Sequence, residues 1–199
     1  MRPLVLHPGV ASTLFAAASG AWVVAELALR LRPRWRERGQ SRVRQPDPTF
    51  LAVFAGVGGG LTLAQAAARA HVAPLPDGAW WPVIAGLVIA AIGIALRLWS
   101  ILTLGRFFRC VIVIQPEHQV VDRGPYRVLR HPSYTGLLVG VLGLALALDD
   151  WVALLAAVLL SLAGLLVRIR AEERALLAAM GEQYADYMAR TWRLVPGLW

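Results

Sequence analysis

The chain has little of what a soluble or metal-dependent protein needs. Only 16% of its 199 residues are charged, whereas about a quarter are charged in an average soluble domain. Its single cysteine, Cys110, excludes an internal disulfide and any site built on paired cysteines. No histidine pair has the spacing of a zinc motif, so we expect no metal site. Lysine is absent as well, and every basic side chain is therefore an arginine.

Apolar residues are abundant instead, at 58% of the chain. Several uninterrupted apolar runs approach or exceed the ~20 residues that cross a bilayer as a helix. The sequence predicts an all-α integral membrane protein with about five transmembrane helices, at residues 9–30, 49–69, 81–103, 133–149 and 151–168. The start of the chain lacks the features of a cleaved signal, so the first run is expected to remain as a helix.

The runs suggest two regions. Residues 1–80 would form an N-terminal two-helix membrane region, and residues 81–199 a core that ends in a cytosolic C-terminal helix. Four glycines lie inside the second run, at 56 and 58–60. Their spacing does not fit a nucleotide-binding loop, and close helix packing is the better interpretation.

The arginines predict the orientation in the membrane. Seven of them lie between residues 30 and 44 and five between 104 and 132, whereas the loop 70–80 has only Asp77 and the turn 149–150 is acidic. The positive-inside rule places both basic segments and the C-terminal tail in the cytoplasm. Topology and anionic headgroups thus explain the net charge of +8, and membrane lipids rather than nucleic acid are the expected partners.

A polar cluster precedes the fourth apolar run. Residues 124–126 are Gly-Pro-Tyr and residues 130–136 are Arg-His-Pro-Ser-Tyr-Thr-Gly. A proline favours the first position of a helix, which makes His131 the expected N-cap. The helix N-terminus then suits an anionic ligand group, and Gly136 in its first turn permits a close approach to the backbone. The alternative is a solvated loop that binds headgroups.

Further candidates lie outside this cluster. Glu172 and Glu173 follow a membrane helix, either as ligand contacts or as part of an amphipathic interfacial helix with Glu–Arg pairs. Tyr184 and Tyr187 share one helical face, which is typical of interfacial anchors. Arg97 lies inside the third apolar run, where a charge is a functional candidate unless it snorkels to the headgroups. Glu26 is expected to pair with an arginine of the following loop, and Cys110 to be inert.

The polar cluster, the paired glutamates, the Gly181-x-x-Tyr-x-x-Tyr string and the late Pro196 together resemble the isoprenylcysteine carboxyl methyltransferase family. The wider group includes phospholipid N-methyltransferases, and the resemblance covers about residues 95–199. It implies an integral membrane methyltransferase that uses S-adenosyl-L-methionine. The cofactor would lie between the loop before helix four and the C-terminal segment, without a Rossmann domain. The first two helices match a small bacterial-type member, so we expect a bacterial inner membrane and an active site facing the cytoplasm.

The resemblance also implies residue roles. The expected catalytic residues are Arg130 and Arg97, and the expected cofactor-binding residues are Gly124, Pro125, Tyr126, His131, Tyr134, Gly136, Glu172, Glu173, Tyr184 and Tyr187. Helix-four amides suit the cofactor carboxylate, the glutamates its ammonium or ribose hydroxyls, and Tyr126 or Tyr134 its sulfonium.

The methyl acceptor is left open. A carboxylate, as in an isoprenylcysteine-like or prenylated substrate, is already ionised at neutral pH and needs orientation by an arginine fork rather than a base. Arg130 is the first choice for that fork and Arg97 the second. A lipid amine or small thiol would need a proton acceptor, and His131 would then matter more. Other function classes are an NADPH-dependent sterol-type reductase and a non-enzymatic scaffold that binds anionic lipid, but the complete Arg-His-Pro-x-Tyr-x-Gly string favours methyl transfer.

Overall fold

The computed structural model describes residues 4–6, 9–31, 48–75, 80–105 and 120–198. Its α-helices are α1 (Val10–Leu31), α2 (Thr49–Ala70), α3 (Trp81–Leu104), α4 (Pro132–Leu146), α5 (Trp151–Met180) and α6 (Glu182–Ala189). Short 3-10 turns cover Leu4–Leu6 and Gly124–Arg127. The predicted all-α class is confirmed. Most of the first basic segment, Cys110 and the side chain of Glu26 lie outside what is described.

Three of these helices, α2, α3 and α5, are long and apolar enough to cross a membrane. Two shorter apolar helices accompany them, over Val10–Val24 and Pro132–Leu146. The chain is therefore an integral membrane protein. The first three helices begin and end within about one residue of their predicted bounds, because each is an apolar run interrupted by proline or charge. A count of five spans stays a prediction.

The fifth helix is longer than its predicted span of 151–168. It runs unbroken for 30 residues to Met180 and ends at Gly181, whose φ of 55° favours glycine. Asp150 caps its start, where Oδ1 accepts a 2.8 Å hydrogen bond from the Ala153 amide. At 1.5 Å per residue it is about 45 Å long, which exceeds the hydrocarbon core of a bilayer. Glu172 and Glu173 thus stand on a rigid extension of a membrane helix.

Small residues let α3 and α4 pack backbone to backbone. A Cβ added at Gly136 would lie 2.6 Å from the Arg97 amide nitrogen and 2.7 Å from the Gly93 carbonyl oxygen. One at Gly86 would lie 2.5 Å from the Gly143 carbonyl oxygen on the facing helix. This contact fixes the start of α4 against the C-terminal half of α3, with Arg97 beside it.

The same device joins α2 to α5. A Cβ at Gly56 would lie 2.5 Å from the Leu160 carbonyl oxygen, and one at Gly60 would lie 3.1 Å from the Ala157 carbonyl oxygen. Gly58 and Gly59 have nothing within 4 Å of such a Cβ. Close packing is therefore confirmed for the first pair and wrong for the second. The contact between α2 and α5 joins the two regions that were predicted to divide at residue 80. The division into two regions stays a prediction.

The far end of the fold from the polar cluster holds the acidic turn. The Ala73 amide donates to Asp150 Oδ2 at 2.9 Å, and the Trp151 amide donates to the Ala73 carbonyl at 2.8 Å. The loop after α2 and the turn between α4 and α5 thus lie at the same end, as the arginine distribution requires.

Candidate active site at the start of α4

The turn Gly124–Arg127 packs against the end of α3. Gly124 has a φ of 56°, and a Cβ there would lie 3.2 Å from Thr103 Oγ1. Pro125 and Tyr126 are buried behind it. Burial raises the pKa of the Tyr126 phenol, Tyr187 and the charge of Glu172 raise it further, and Arg97 opposes the shift. The Tyr126 phenol therefore stays protonated and lies within electrostatic range of both charged side chains.

The chain after α6 returns along the loop that leads into α4. The Arg130 amide donates to the Trp192 carbonyl at 2.7 Å, and the Trp192 amide donates to the Val128 carbonyl at 2.9 Å. The His131 amide donates to the Arg193 carbonyl at 3.2 Å. This strand-like pairing holds the C-terminal segment beside the polar cluster, although some 60 residues separate them in sequence.

His131 lies between the paired glutamates. Its Nε2 is 3.3 Å from Glu173 Oε1, and its Nδ1 is 3.7 Å from Glu172 Oε2. The imidazole stacks on the Tyr134 ring, with centroids 5.7 Å apart and planes 21° apart. The side chain is only 7% exposed. The N-cap residue predicted from the proline thus joins the loop to α5 through its side chain.

Glu172 is held by a residue that sequence reasoning missed. Its Oε1 accepts hydrogen bonds from the Tyr134 hydroxyl at 2.7 Å and from Arg168 Nε at 2.9 Å, and Arg168 Nη2 lies 2.8 Å away. Arg168 is 1% exposed and also donates to Thr49 Oγ1 at 3.2 Å. The four-residue spacing of Arg168 and Glu172 on one helix was the signal that would have found this pair.

Glu173 forms ion pairs with arginines on two other segments. Arg193 Nη2 lies 2.8 Å from Oε2, and Arg193 Nε donates to Oε1 at 3.1 Å. Arg130 Nε lies 3.4 Å from Oε1, and Arg130 Nη1 donates to the Met188 carbonyl at 3.0 Å. Arg193 was missed because it lies in an irregular segment where no periodicity links it to Glu173.

Arg97 reaches the first turn of α4. Its Nη1 donates to the Ser133 carbonyl at 3.0 Å and to Ser133 Oγ at 2.9 Å. The amides of Tyr134 and Thr135 both donate to the His131 carbonyl, and Pro132 has no amide hydrogen. This helix end therefore offers an anion fewer amide donors than the sequence suggested. Arg97 adds a positive charge at the same place.

Three of the predicted cofactor contacts are engaged by other parts of the protein, and their role toward a cofactor stays a prediction. The space over Gly136 is filled by α3, which lies where a side chain at this position would be. Tyr184 and Tyr187 are both buried inside the protein. The Tyr187 hydroxyl donates to the Tyr126 carbonyl at 2.8 Å. Burial raises the pKa of both phenols, so that hydroxyl remains a donor.

The resulting cluster has a definite chemistry. It combines two carboxylates, four arginines, an imidazole and neutral phenols within one region at the junction of α3, α4, α5 and the C-terminal segment. Carboxylates suit ammonium and hydroxyl groups, and guanidinium groups suit carboxylates. This set of charged groups suits a zwitterionic ligand, which carries both a positive and a negative group.

Comparison with known proteins shows what this region is similar to. Residues 84–178 match the family model described as the isoprenylcysteine carboxyl methyltransferase family. The chain is 34% identical over 119 residues to protein-S-isoprenylcysteine O-methyltransferase B of Arabidopsis thaliana, which covers 59% of this chain and 60% of that protein. It is 32% identical over 118 residues to protein-S-isoprenylcysteine O-methyltransferase of Tribolium castaneum, which covers 58% of this chain and 42% of that protein.

A solved structure shares the fold. The structure of the eukaryotic intramembrane Ras methyltransferase ICMT superposes with a TM-score of 0.68 over 98% of this chain and 70% of that chain, at 22% identity. At that identity the likeness concerns the fold. The chain spans about 60% of the Arabidopsis relative's length and less of the Tribolium relative's length.

Proposed function

We propose that this protein methylates a lipophilic acceptor at a membrane with S-adenosylmethionine, because residues 84–178 match the model of the isoprenylcysteine carboxyl methyltransferase family. We propose carboxyl O-methylation of an isoprenylcysteine-like substrate as the reaction. The names of the curated relatives support this assignment.

One observation carries the proposal. The residues on which the family resemblance rests lie far apart in sequence, yet His131 contacts Glu172 and Glu173, and Tyr134 donates to Glu172. A headgroup-binding loop would not require buried, mutually oriented partners of this kind. Their assembly supports a preorganised ligand site.

The donor set is compatible with the cofactor. S-adenosylmethionine carries a carboxylate, an ammonium and ribose hydroxyls, and it supplies a methyl group from a sulfonium. Glu172 is the better candidate for the ammonium or hydroxyls, because its side chain is 19% exposed whereas that of Glu173 is 6% exposed. Glu173 makes a two-point ion pair with Arg193, so we assign it to holding the C-terminal segment. The rings of Tyr126 and Tyr134 would face the cation.

The protein has little proton chemistry to perform on a carboxylate acceptor. Such an acceptor is ionised at neutral pH, so alignment and exclusion of water are what the site must provide. Arg130 and Arg97 are the proposed clamps. Arg97 sits on α3 against Ser133, and Arg130 sits in the loop against Glu173, so the two flank the start of α4.

We further propose that this site faces the cytoplasm of a bacterial cell, from the inner membrane. The two arginine-rich segments support this orientation. A soluble cofactor would then have direct access to the loop before α4 and to the C-terminal segment.

A methyl-transfer assay tests the proposal. The purified full chain in lipid nanodiscs would be given methyl-labelled S-adenosylmethionine and matched lipophilic carboxylates, amines or thiols. We expect base-labile methyl ester on prenylcysteine-like carboxylates. Labelled amine or thioether products would instead reassign the acceptor. No transfer to any class, together with binding of NADPH and not of S-adenosylhomocysteine in calorimetry, would favour a reductase and overturn the proposal.

A further inference from the structure

Arg168 is a buried cation on the membrane helix that carries the paired glutamates. Its side chain is 1% exposed, so it does not reach the headgroups as a snorkelling arginine would. A guanidinium at such a place requires partners for its charge and its five N–H groups. Its partners among the described residues include Glu172, Tyr134 and Thr49, and the first two belong to the proposed cofactor site.

The contacts of Arg168 concentrate on one oxygen of Glu172. Nε and Nη2 lie 2.9 and 2.8 Å from Oε1, and the Tyr134 hydroxyl donates to that same oxygen at 2.7 Å. Arg168 Nε is also 3.3 Å from the Tyr134 hydroxyl. Oε1 is therefore committed to protein donors, and Oε2, beside His131, is the oxygen left to face a ligand.

We propose that Arg168 is a positioning residue that fixes the rotamer of Glu172 and the hydroxyl of Tyr134, so that Glu172 presents Oε2 to the cofactor. This inference rests on the proposed function, because it concerns the same site. Tyr134 in turn stacks on His131. Arg168 would therefore influence the positions of Tyr134 and His131 as well as that of Glu172.

Thr49 extends this link to the N-terminal part of the chain. Arg168 Nη1 donates to Thr49 Oγ1 at 3.2 Å, and Thr49 is the first residue of α2. Because α2 packs along α5 through Gly56 and Gly60, the N-terminus of α2 is held beside Arg168. Helix α2 thereby serves the site, although it lies outside the family match at residues 84–178.

A double-mutant cycle tests the positioning role. S-adenosylhomocysteine affinity would be measured by calorimetry, and thermal unfolding followed, for the parent, Arg168→Gln, Glu172→Gln and the double variant. Arg168→Gln should weaken binding by about tenfold or more. In the Glu172→Gln background the same change should cost less than about twofold, since the group through which Arg168 acts is already altered. Arg168→Lys, which keeps the charge but loses the fork, should recover part of the affinity.

Arg170→Gln is the matched control, because Arg170 lies on the exposed side of the same helix. It should bind as the parent does. If Arg168→Gln does not fold, Thr49→Val and Arg168→Lys report on the same contacts. Each should weaken S-adenosylhomocysteine binding while unfolding at about the same temperature as the Arg170→Gln control. Parent-like affinity in these variants, or an equal loss from Arg168→Gln in both backgrounds, would overturn the positioning role. A parent that binds no S-adenosylhomocysteine would instead show that the proposed function is wrong.

Discussion

Glu173 and Arg193 form a two-point ion pair, with Nη2–Oε2 at 2.8 Å and Nε–Oε1 at 3.1 Å. Arg193 belongs to the segment after α6, and Glu173 stands on the extension of α5. The pair therefore closes the C-terminal segment over the loop before α4, where the backbone pairing of Trp192 with Arg130 and Val128 continues the contact. The proposed site therefore includes the C-terminal segment.

Removal of the arginine should loosen this closure. Arg193→Gln leaves the Glu173 carboxylate with fewer partners in a buried position, at a cost of about 2–3 kcal/mol in the free energy of unfolding. Arg193→Lys should cost less, because it keeps one charged contact. Thermal unfolding in detergent measures both, and an unchanged midpoint for Arg193→Gln would show that the pair contributes nothing to closure.

The two glutamates should separate when each is replaced by glutamine. Glu172→Gln should weaken S-adenosylmethionine binding by about ten- to a hundredfold, since one charge-assisted bond is lost, and should also lower the unfolding temperature, because the buried Arg168 loses its carboxylate partner. Glu173→Gln should chiefly lower the unfolding temperature. Calorimetry and unfolding on the same preparations distinguish them. If both variants bind as the parent does, the paired glutamates serve only the fold.

Orientation in the membrane is testable by reporter fusions. A fusion after Trp199 and one within residues 70–80 should report opposite sides, with the first in the cytoplasm, because the arginines are concentrated on the side of the tail. The loop after α2 contacts the acidic turn before α5, so a fusion at 149–150 should agree with the one at 70–80. If the fusion after Trp199 and the fusion within residues 70–80 reported the same side, the cytosolic site would be contradicted.

The sequence was informative wherever a local pattern decides the structure. Apolar runs bounded by proline and charged residues predicted the bounds of α1 to α3 closely. Pro132 predicted the start of α4, with His131 as its N-cap. The end of α5 was missed because charge signals the end of a membrane span but does not end a helix. Residues after 168 are strong helix formers, and only Gly181 stops them.

The partners of the site were harder to predict, because they depend on distant packing. Glu172 and Glu173 were identified as candidates, but Arg193 reaches Glu173, and Thr49 reaches Arg168, only once the C-terminal segment and α2 are placed. Gly136 shows the opposite difficulty: a glycine in a first helical turn is compatible with a ligand or a helix above it. The backbone of α3 fills that space, and no local pattern announces this.

That packing yields a stability prediction. Gly136→Ala would place a Cβ 2.6 Å from the Arg97 amide nitrogen, so α3 and α4 must move apart at a cost of about 1–3 kcal/mol. Gly58→Ala is the matched control, because its Cβ meets nothing within 4 Å and alanine favours a helix interior. Unfolding midpoints should fall for the first and hold or rise for the second. Equal midpoints would show that the helices have room to separate.

The final prediction concerns Arg130 and Arg97, the two proposed clamps. Lysine keeps the charge of arginine but loses the planar fork that matches a carboxylate. If Arg130 orients the acceptor, Arg130→Lys should bind the cofactor as the parent does, since Glu172 and Arg168 are unchanged. Its single-turnover rate should nevertheless fall by about a hundredfold, because a misplacement of about an ångström is enough for that loss.

The contacts of Arg130 inside the protein make a control necessary. Arg130 lies 3.4 Å from Glu173 and donates to the Met188 carbonyl, so its replacement also acts on the closure of the C-terminal segment. Arg193→Lys acts on that closure without touching Arg130, and its rate gives the size of the indirect effect. Arg97→Lys should be milder than Arg130→Lys if Arg97 mainly holds Ser133. Normal turnover in Arg130→Lys would show that Arg130 does not orient the acceptor. Lost cofactor binding in that variant would assign Arg130 to the cofactor site instead. A larger loss of single-turnover rate in Arg97→Lys than in Arg130→Lys would make Arg97 the clamp.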